Sequence, residues 1–180
     1  MRYRTVLGDV YMSNNKMEDA YKVYNDILDE EPDYAPAMVA LASYYQKTGQ
    51  DSLYSLQLDS ILINSNVETG LKLDLMRQII LKSEQTDKDS THIIRLFDNM
   101  LKYKQPNADI PMLYAQYLIT KKMEKESVPV LNTVLSLDPE NKPARLQLLS
   151  YAINDNNLDE VIRVATPAIE YSPDAMEFYY

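Results

Sequence analysis

The chain of 180 residues contains no cysteine, no tryptophan, one histidine and three glycines. Without cysteine there is no disulfide, no thiolate metal ligand and no cysteine nucleophile. The three glycines stand alone at positions 8, 49 and 70, so a glycine-rich phosphate loop is excluded. The chain therefore lacks the residues for thiol chemistry and for P-loop nucleotide binding.

Positive charge is also scarce, because 18 basic residues face 27 acidic ones and leave a formal net charge of −9. Nucleic-acid binding needs clustered Lys and Arg, so we expect no nucleic-acid partner. The longest uncharged run, from Tyr34 to Gln46, is much shorter than the ~20 apolar residues of a membrane-spanning helix. The sequence thus predicts no membrane insertion by this segment.

The single histidine, His92, lies close to the start of a predicted helix, and no nucleophile motif accompanies it. Asp87 and Asp89 are spaced like the opening of a calcium loop. However, His92 occupies the position where that loop needs glycine, and Asp98 replaces its bidentate glutamate. We therefore predict a non-enzymatic protein with no catalytic residue, no cofactor and no metal site.

Apolar residues recur at spacings of three and four along almost the whole chain, which indicates helices rather than strands. The pattern is interrupted at regular intervals by short polar or glycine-containing segments, and Asn and Gly tolerate the left-handed conformation found at helix ends. These are Asn14-Asn15, Gly49, Lys121-Lys122 and Asn156-Asn157. We also expect Asp33, Asp138 and Asp174 to accept hydrogen bonds from backbone N–H groups at helix starts.

The pattern predicts eleven helices, of which the last begins near Asp174. A polar segment over 83–89 separates the two helices of the third pair. The predicted pairs are 2–14 with 17–30, 34–47 with 50–63, 68–83 with 90–104, 108–120 with 124–137, and 142–154 with 157–171.

The strongest signal is an internal repeat, in which a Leu, a small residue, a Tyr and an Ile return at matching positions 34 residues later. The first copy consists of Leu7, Gly8, Tyr11, Ala20, Tyr24, Ile27 and Pro32. The second copy consists of Leu41, Ala42, Tyr45, Tyr54, Leu58, Ile61 and Asn66. This pattern resembles that of the tetratricopeptide repeat family.

The resemblance implies an all-α, right-handed superhelix of about five helical hairpins plus one extra helix. We expect one solenoid over 1–180, excised from a longer array. Its repeats would be about 1–34, 35–68, 69–107 (with the insertion near 83–89), 108–141, 142–173 and a partial sixth over 174–180. The small column of Gly8, Ala42 and Ala115 is where the two helices of a repeat would cross closely.

Some positions depart from the family pattern, since Arg4 replaces a frequent tryptophan, and Met76 and Leu149 replace the small residue. Three other interpretations are weighed against the repeat. A pentatricopeptide protein that reads RNA would have a slightly longer period and is disfavoured by the acidic charge. A longer-helix α-solenoid fits the third unit but not the start of the first at Leu7, Gly8 and Tyr11, and an irregular helical bundle is the third interpretation.

The family binds extended peptides or helices in the groove lined by the first helix of each repeat. By position, the groove in this chain would be lined mainly by apolar and neutral residues. They are Thr5, Asp9, Met12, Val39, Ser43, Gln46, Leu73, Arg77, Ile80, Met112, Gln116, Ile119, Leu146 and Ser150, with Ser13, Lys47 and Ile153 beside them. Thr5, Asp9 and Ala40 occupy positions where the family's carboxylate clamp needs Lys and Asn, so we do not expect that clamp.

The resemblance therefore implies a scaffold that binds a protein or peptide partner by apolar burial. Two alternatives remain. The exposed ends of the solenoid could stack into a homo-oligomer, or the repeats could be the adaptor region of a larger enzyme or assembly protein.

Overall fold

A computed structural model describes residues 1–85 and 90–171, with the side chains of residues 85 and 169–171 outside the description. These residues form ten α-helices and no strand. The helices are α1 (Arg2–Ser13), α2 (Met17–Glu30), α3 (Ala35–Lys47), α4 (Asp51–Ile63), α5 (Thr69–Gln85), α6 (Thr91–Leu101), α7 (Asp109–Thr120), α8 (Glu124–Leu137), α9 (Lys142–Asn154) and α10 (Leu158–Tyr171).

The all-α prediction is confirmed, and most helix ends agree with the predicted ones to within a residue. Helix α5 continues to Gln85 and so takes up the start of the predicted insertion. Helix α6 ends at Leu101 rather than at 104, because its buried apolar face ends at Met100 and the following Lys102 and Tyr103 are exposed. The remaining insertion residues 86–89 and the eleventh helix predicted from Asp174 lie outside the described residues.

The chain divides into two compact units, one over Met1–Tyr103 and one that begins at Lys104. In the first unit α1 packs on α2, α2 on α3 and α3 on α4, while α1 also contacts α3 and α4 contacts α6. In the second unit α7 packs on α8, α8 on α9 and α9 on α10. Consecutive helices thus pack as hairpins within each unit.

The core of the first unit joins neighbouring hairpins. Ala20 and Tyr24 of α2 pack with Ala40, Leu41 and Tyr45 of α3. Burying each large side chain of this kind stabilises the fold by roughly 1.5–3 kcal/mol. The repeated positions therefore form the interface between one hairpin and the next.

Gly8 permits the closest approach inside the first hairpin. A Cβ atom at this position would lie 2.9 Å from Cδ1 and from Cζ of Tyr24, and closer still to Cε1. The equivalent residues Ala42 and Ala115 are also buried. The predicted close crossing of the two helices is thus confirmed in the first hairpin.

Four helices end where the sequence predicts it. The residues with positive φ are Asn15 (61°), Gly49 (71°), Lys122 (59°) and Asn156 (51°). At each end the next N–H reaches back to the carbonyl oxygen five residues earlier. One example is Met123 N–H, which donates to the Leu118 carbonyl oxygen at 2.9 Å. This is the left-handed closure that commonly ends helices.

The prediction that Asp33 and Asp138 cap helices is wrong. The Asp33 carboxylate accepts from the side-chain amides of Asn64 and Asn66, each at 2.7 Å. The Asp138 carboxylate accepts from the Asn141 amide at 2.9 Å. In both cases side-chain amides, rather than backbone N–H groups at a helix start, donate hydrogen bonds to the carboxylate. Asp174 lies outside the described residues.

Asn141 caps α9 itself, since its Oδ1 accepts from the Ala144 N–H at 3.1 Å. One turn into the same helix, Arg145 is buried, and its guanidinium donates to the carbonyl oxygens of Val164 (2.7 Å) and Pro139 (2.6 Å). This side chain therefore connects α9 to α10 and to the turn before α9.

Candidate partner-binding surface

In the first unit, the predicted groove residues of α1 and α3 lie on two helices that contact each other. The Lys47 ammonium donates to the Met12 carbonyl oxygen at 2.9 Å and so connects α3 with the end of α1. Met12 is half-buried, whereas Gln46 is exposed. These residues form the surface of the first hairpins on the side predicted to bind a partner.

Asp9 has a structural partner as well as an exposed position. Its Oδ1 accepts from the Tyr24 hydroxyl at 2.7 Å, which fixes the carboxylate against α2. Burial of Tyr24 raises the pKa of its hydroxyl, and the hydrogen bond to Asp9 and the charge of Asp9 raise this pKa further. Asp9 therefore presents one oriented negative charge on α1.

The other α3 positions are less polar than the sequence indicates. The Ser43 hydroxyl is exposed but donates to the Val39 carbonyl oxygen at 3.1 Å within its own helix. Val39 is half-buried and packs beside the cluster of Met38, Ala42, Ile61 and Val67. The apolar surface of α3 is therefore continuous with the core beneath it.

Two of the predicted groove residues are buried inside the chain. Thr5 lies one turn before Gly8 on the packed side of α1, and its hydroxyl donates to the Met1 carbonyl oxygen. Leu73 of α5 is also buried, while Arg77 of α5 is exposed beside Asp74 and Ile80 is half-buried. Thr5 and Leu73 contribute to packing within the chain rather than to its surface.

In the second unit the predicted residues lie on α7 and α9. Met112 and Ile119 are half-buried and Gln116 is exposed on α7. On α9, Leu146, Ser150 and Ile153 are exposed, and their spacing of four and three places them on one face. This α9 face combines two exposed apolar side chains with one hydroxyl and no charge.

The structure also contains a concave site that the groove prediction misses. A cavity of about 780 Å³ lies between the α2–α3 turn and the start of α5. Its walls combine carboxylates with prolines and other apolar side chains. They are Glu30, Glu31, Pro32, Asp33, Tyr34, Ala35, Pro36, Asn66, Glu68 and Leu71. The acidic run at the end of α2 is the sequence signal that could have indicated it.

Among the residues that the structure describes, no group of three or more His, Asp or Glu side chains is placed to hold a metal ion. His92 is exposed in the first turn of α6, with its Nδ1 3.4 Å from the Arg95 guanidinium, which in turn pairs with Asp59 at 3.0 Å. None of the described helices is both long and apolar enough to cross a membrane.

Comparison with known proteins identifies the first hairpin. Residues 2–34 match the family model of the tetratricopeptide repeat. No curated protein matches the chain. The described helical hairpins define an all-α helical-repeat protein. The first of these hairpins matches the tetratricopeptide repeat family.

Several solved structures are similar to the chain. YrrB is described as a tetratricopeptide-repeat protein with an unusual peptide-binding site. It has 16% identity and a TM-score of 0.41, and the match covers 98% of this chain and 71% of the YrrB chain. MamA has 12% identity and a TM-score of 0.49, covering 100% and 98%. A thermophilic tetratricopeptide-repeat protein of Thermus thermophilus has 14% identity and a TM-score of 0.44, covering 99% and 94%. At these identities and TM-scores the similarities bear on no ligand or residue of this chain.

Proposed function

We propose that this chain is a protein–protein interaction scaffold and that it binds an apolar or amphipathic segment of a partner along the first helices of its hairpins. Tetratricopeptide-repeat proteins as a class are interaction scaffolds. The observation that carries the finer proposal is the α9 face, where Leu146 and Ile153 are exposed seven residues apart with Ser150 between them. An amphipathic segment would bury both apolar side chains and hydrogen-bond to the hydroxyl.

The charges of the predicted groove support burial rather than ion pairing as the source of affinity. Asp9 is held by Tyr24, Lys47 by a backbone carbonyl, and Arg77 lies 3.2 Å from Asp74. The charges of Asp9 and Lys47 are opposite in sign and Arg77 is paired with Asp74, so the surface has little net charge to attract a strongly charged peptide. We therefore expect binding that changes little with salt concentration.

The proposal is tested by selecting peptides of about 12 residues, roughly one partner helix, from a random library on the wild-type chain. A selected peptide is then titrated calorimetrically against the Leu146→Asp/Ile153→Asp double variant. Placing two carboxylates on the α9 face should weaken binding at least ~10-fold, which corresponds to about 1.4 kcal/mol.

The matched control is Leu53→Asp/Leu56→Asp, which changes two similarly exposed leucines on α4, the second helix of its hairpin. This control should retain wild-type affinity. Circular dichroism melting curves check that both variants are folded. Equal affinity of the α9 variant and the wild type would contradict the proposed binding face.

A further inference from the structure

The cavity between the α2–α3 turn and the start of α5 is acidic. Its volume is about 780 Å³, and its lining includes the carboxylates of Glu30, Glu31, Asp33 and Glu68. None of the lining residues is basic, and Lys72 of α5 is not among them. Ligand sites in proteins are commonly cavities of roughly 300–1,000 Å³. The cavity is therefore large enough for a ligand, and its charge favours a cationic one.

Most of this negative charge is not compensated within the chain. Glu30 is paired, because both of its oxygens accept from Arg4 Nη1 at 2.8 Å. Asp33 accepts from side-chain amides, which are neutral and leave its charge in place. Glu31 and Glu68 are exposed, and no described residue forms a hydrogen bond or an ion pair with either side chain. The remaining carboxylates therefore give the cavity a negative potential that attracts cations.

The two walls of the cavity are fixed to each other. Asp33 belongs to the α2–α3 turn, and its two oxygens accept from the amides of Asn64 and Asn66, which precede α5. Pro32 in this turn and Pro36 at the start of α3 have a restricted φ angle, which stiffens the same wall. A site that is rigid before binding loses less entropy when a ligand enters. The cavity is therefore preorganised, and both of its walls are connections inside the first unit.

The chemistry of the walls favours a side-chain cation over a metal ion. Among the described residues no group of three or more His, Asp or Glu side chains is placed to hold a metal. Beside the carboxylates the cavity is lined by the apolar residues Pro32, Ala35, Pro36 and Leu71. Arg and Lys have a matching double character, because their aliphatic stems pack on apolar surface while the charged end reaches a carboxylate. The walls therefore suit basic residues that lie next to apolar ones.

We propose that this cavity binds a short basic segment of a partner protein, in which arginine or lysine residues flank apolar ones. Glu31 on one wall and Glu68 on the other pair with the cationic ends, and the apolar residues of the segment pack on Pro36 and Leu71. The site is separate from the α9 face, which belongs to the second unit and has no charge. Because exposed ion pairs are screened by salt, binding at the cavity should weaken as the salt concentration rises, unlike binding at the α9 face.

Titration of the 180-residue chain with the blocked peptide acetyl-Arg-Leu-Leu-Arg-amide tests the site. In a neutral counterpart both arginines are replaced by citrulline, which has nearly the same shape without the charge. Two-dimensional amide NMR spectra should show shift changes at residues 30–36 and 66–71. The citrulline peptide should bind at least ~5-fold more weakly. Raising the NaCl concentration from about 20 to about 300 mM should raise the Kd of the arginine peptide at least ~3-fold.

The double variant Glu31→Gln/Glu68→Gln removes two cavity charges with little change of shape and should raise the Kd of the arginine peptide at least ~5-fold. The matched control is Glu124→Gln/Glu126→Gln, which changes two exposed glutamates of α8 and alters the net charge equally. Its Kd should stay within about twofold of the wild-type value. The same spectra show whether each variant is folded.

Four results would overturn the proposal. Equal weakening in both double variants would mean that the net charge alone attracts the peptide. Equal affinity of the arginine and citrulline peptides would mean that the carboxylates do not contribute. Shift changes confined to α9 would place the peptide on the proposed α9 face instead, and the absence of binding up to ~10 mM peptide would leave the cavity without this ligand.

Discussion

At the scale of single residues, the first hairpin depends on how Gly8, Tyr24 and Asp9 fit together. The ring of Tyr24 lies against the glycine, and its hydroxyl donates to the carboxylate on the next position of α1. Because the ring is fully buried and held at its hydroxyl, it has little freedom to move aside. The small residue and the aromatic residue of the repeat pattern therefore pack directly against each other in this hairpin.

Gly8→Ala should destabilise the chain by about 1–3 kcal/mol, although alanine is the better helix former. The added methyl group would overlap the Tyr24 ring. Urea unfolding monitored by circular dichroism measures the change. Gly70→Ala is the matched control, because a Cβ at that helical position meets nothing within 4 Å. It should stabilise by about 0.4–1 kcal/mol, and a loss of similar size at both sites would contradict this account.

Tyr24→Phe removes the hydrogen bond to Asp9 and should cost about 1 kcal/mol at neutral pH. The raised pKa of Tyr24 also makes stability depend on pH. The pKa of Tyr24 in the folded state lies above its unfolded value of about 10. The stability that neutral Tyr24 contributes to the fold is therefore complete below pH ~10 and is lost as the pH rises above this value. The wild type should therefore lose stability more steeply than Tyr24→Phe between about pH 10 and 11.

Unfolding midpoints of the wild type and of Tyr24→Phe, measured from pH 7 to 11, test this pH dependence. Burial likewise raises the pKa of Tyr54, and burial together with Tyr21 raises that of Tyr45, so some alkaline loss remains in the variant. Tyr3→Phe, at an exposed tyrosine, should follow the wild-type curve. If the difference in unfolding midpoint between the wild type and Tyr24→Phe stayed constant up to pH 11, the alkaline loss of stability could not be assigned to Tyr24.

At the scale of elements, the first helix in four of the hairpins ends with one residue in the left-handed conformation. Two of these residues are Asn and one is Gly, which adopt this conformation readily, but the fourth is Lys122. The same closure is therefore made at different conformational cost in different hairpins. This conformational cost depends on which residue occupies the left-handed position, so it can be read from the sequence at each helix end.

Lys122→Gly should stabilise the chain and Gly49→Ala should destabilise it, each by about 0.5–1 kcal/mol. Left-handed backbone costs a residue with a Cβ about 1–2 kcal/mol, partly offset by the lower unfolded-state entropy of that residue. Nothing lies within 4 Å of a Cβ built at Gly49, so packing does not contribute there. Chemical unfolding of both variants measures the changes, and changes of the same sign would refute the interpretation.

At the scale of the whole molecule, packing is divided between two compact units, and each helix contacts mainly its neighbours along the chain. Stability in repeat proteins is approximately a sum of local terms. A substitution should therefore act mainly in its own unit. Gly8 in the first unit and Arg145 in the second are suited to test this.

Gly8→Ala should raise amide hydrogen exchange in α1 to α4 and leave α9 and α10 near wild type. Arg145→Met should do the reverse, because it leaves the carbonyl oxygens of Val164 and Pro139 without the guanidinium. The Met replacement matches Met38, the residue at the equivalent position of α3. Hydrogen exchange read by mass spectrometry distinguishes the cases, and a uniform rise in either variant would show that the units unfold together.

The sequence predicts the helices and their ends well, because the signals are local. Asn15 and Gly49 mark left-handed helix ends whatever lies around them, and both positions are confirmed. The predicted carboxylate cap at Asp33 fails for a tertiary reason, since Asn64 and Asn66 of another turn bind that side chain. A cap is decided by which donor is nearest, and that donor can come from a distant part of the chain.

The candidate site is predictable only as a set of helix positions. The repeat register places residues such as Met12 and Gln46 on the first helices, where they are found. The same register also selects Thr5 and Leu73, which are buried. Whether a side chain on a helix is covered depends on the helix that packs beside it, so the register alone could not separate groove residues from packing residues.

The sequence by itself determined the helical class, the 34-residue spacing and most of the positions at which the helices end. These features depend on periodicity and on backbone preferences, which act over a few residues. Only the tertiary structure decided which faces are covered. It buries Tyr24 against Gly8, turns Thr5 and Leu73 inward and leaves Tyr3, Val6, Leu7 and Val10 exposed. Burial is a relation between helices, and it is fixed only when they pack.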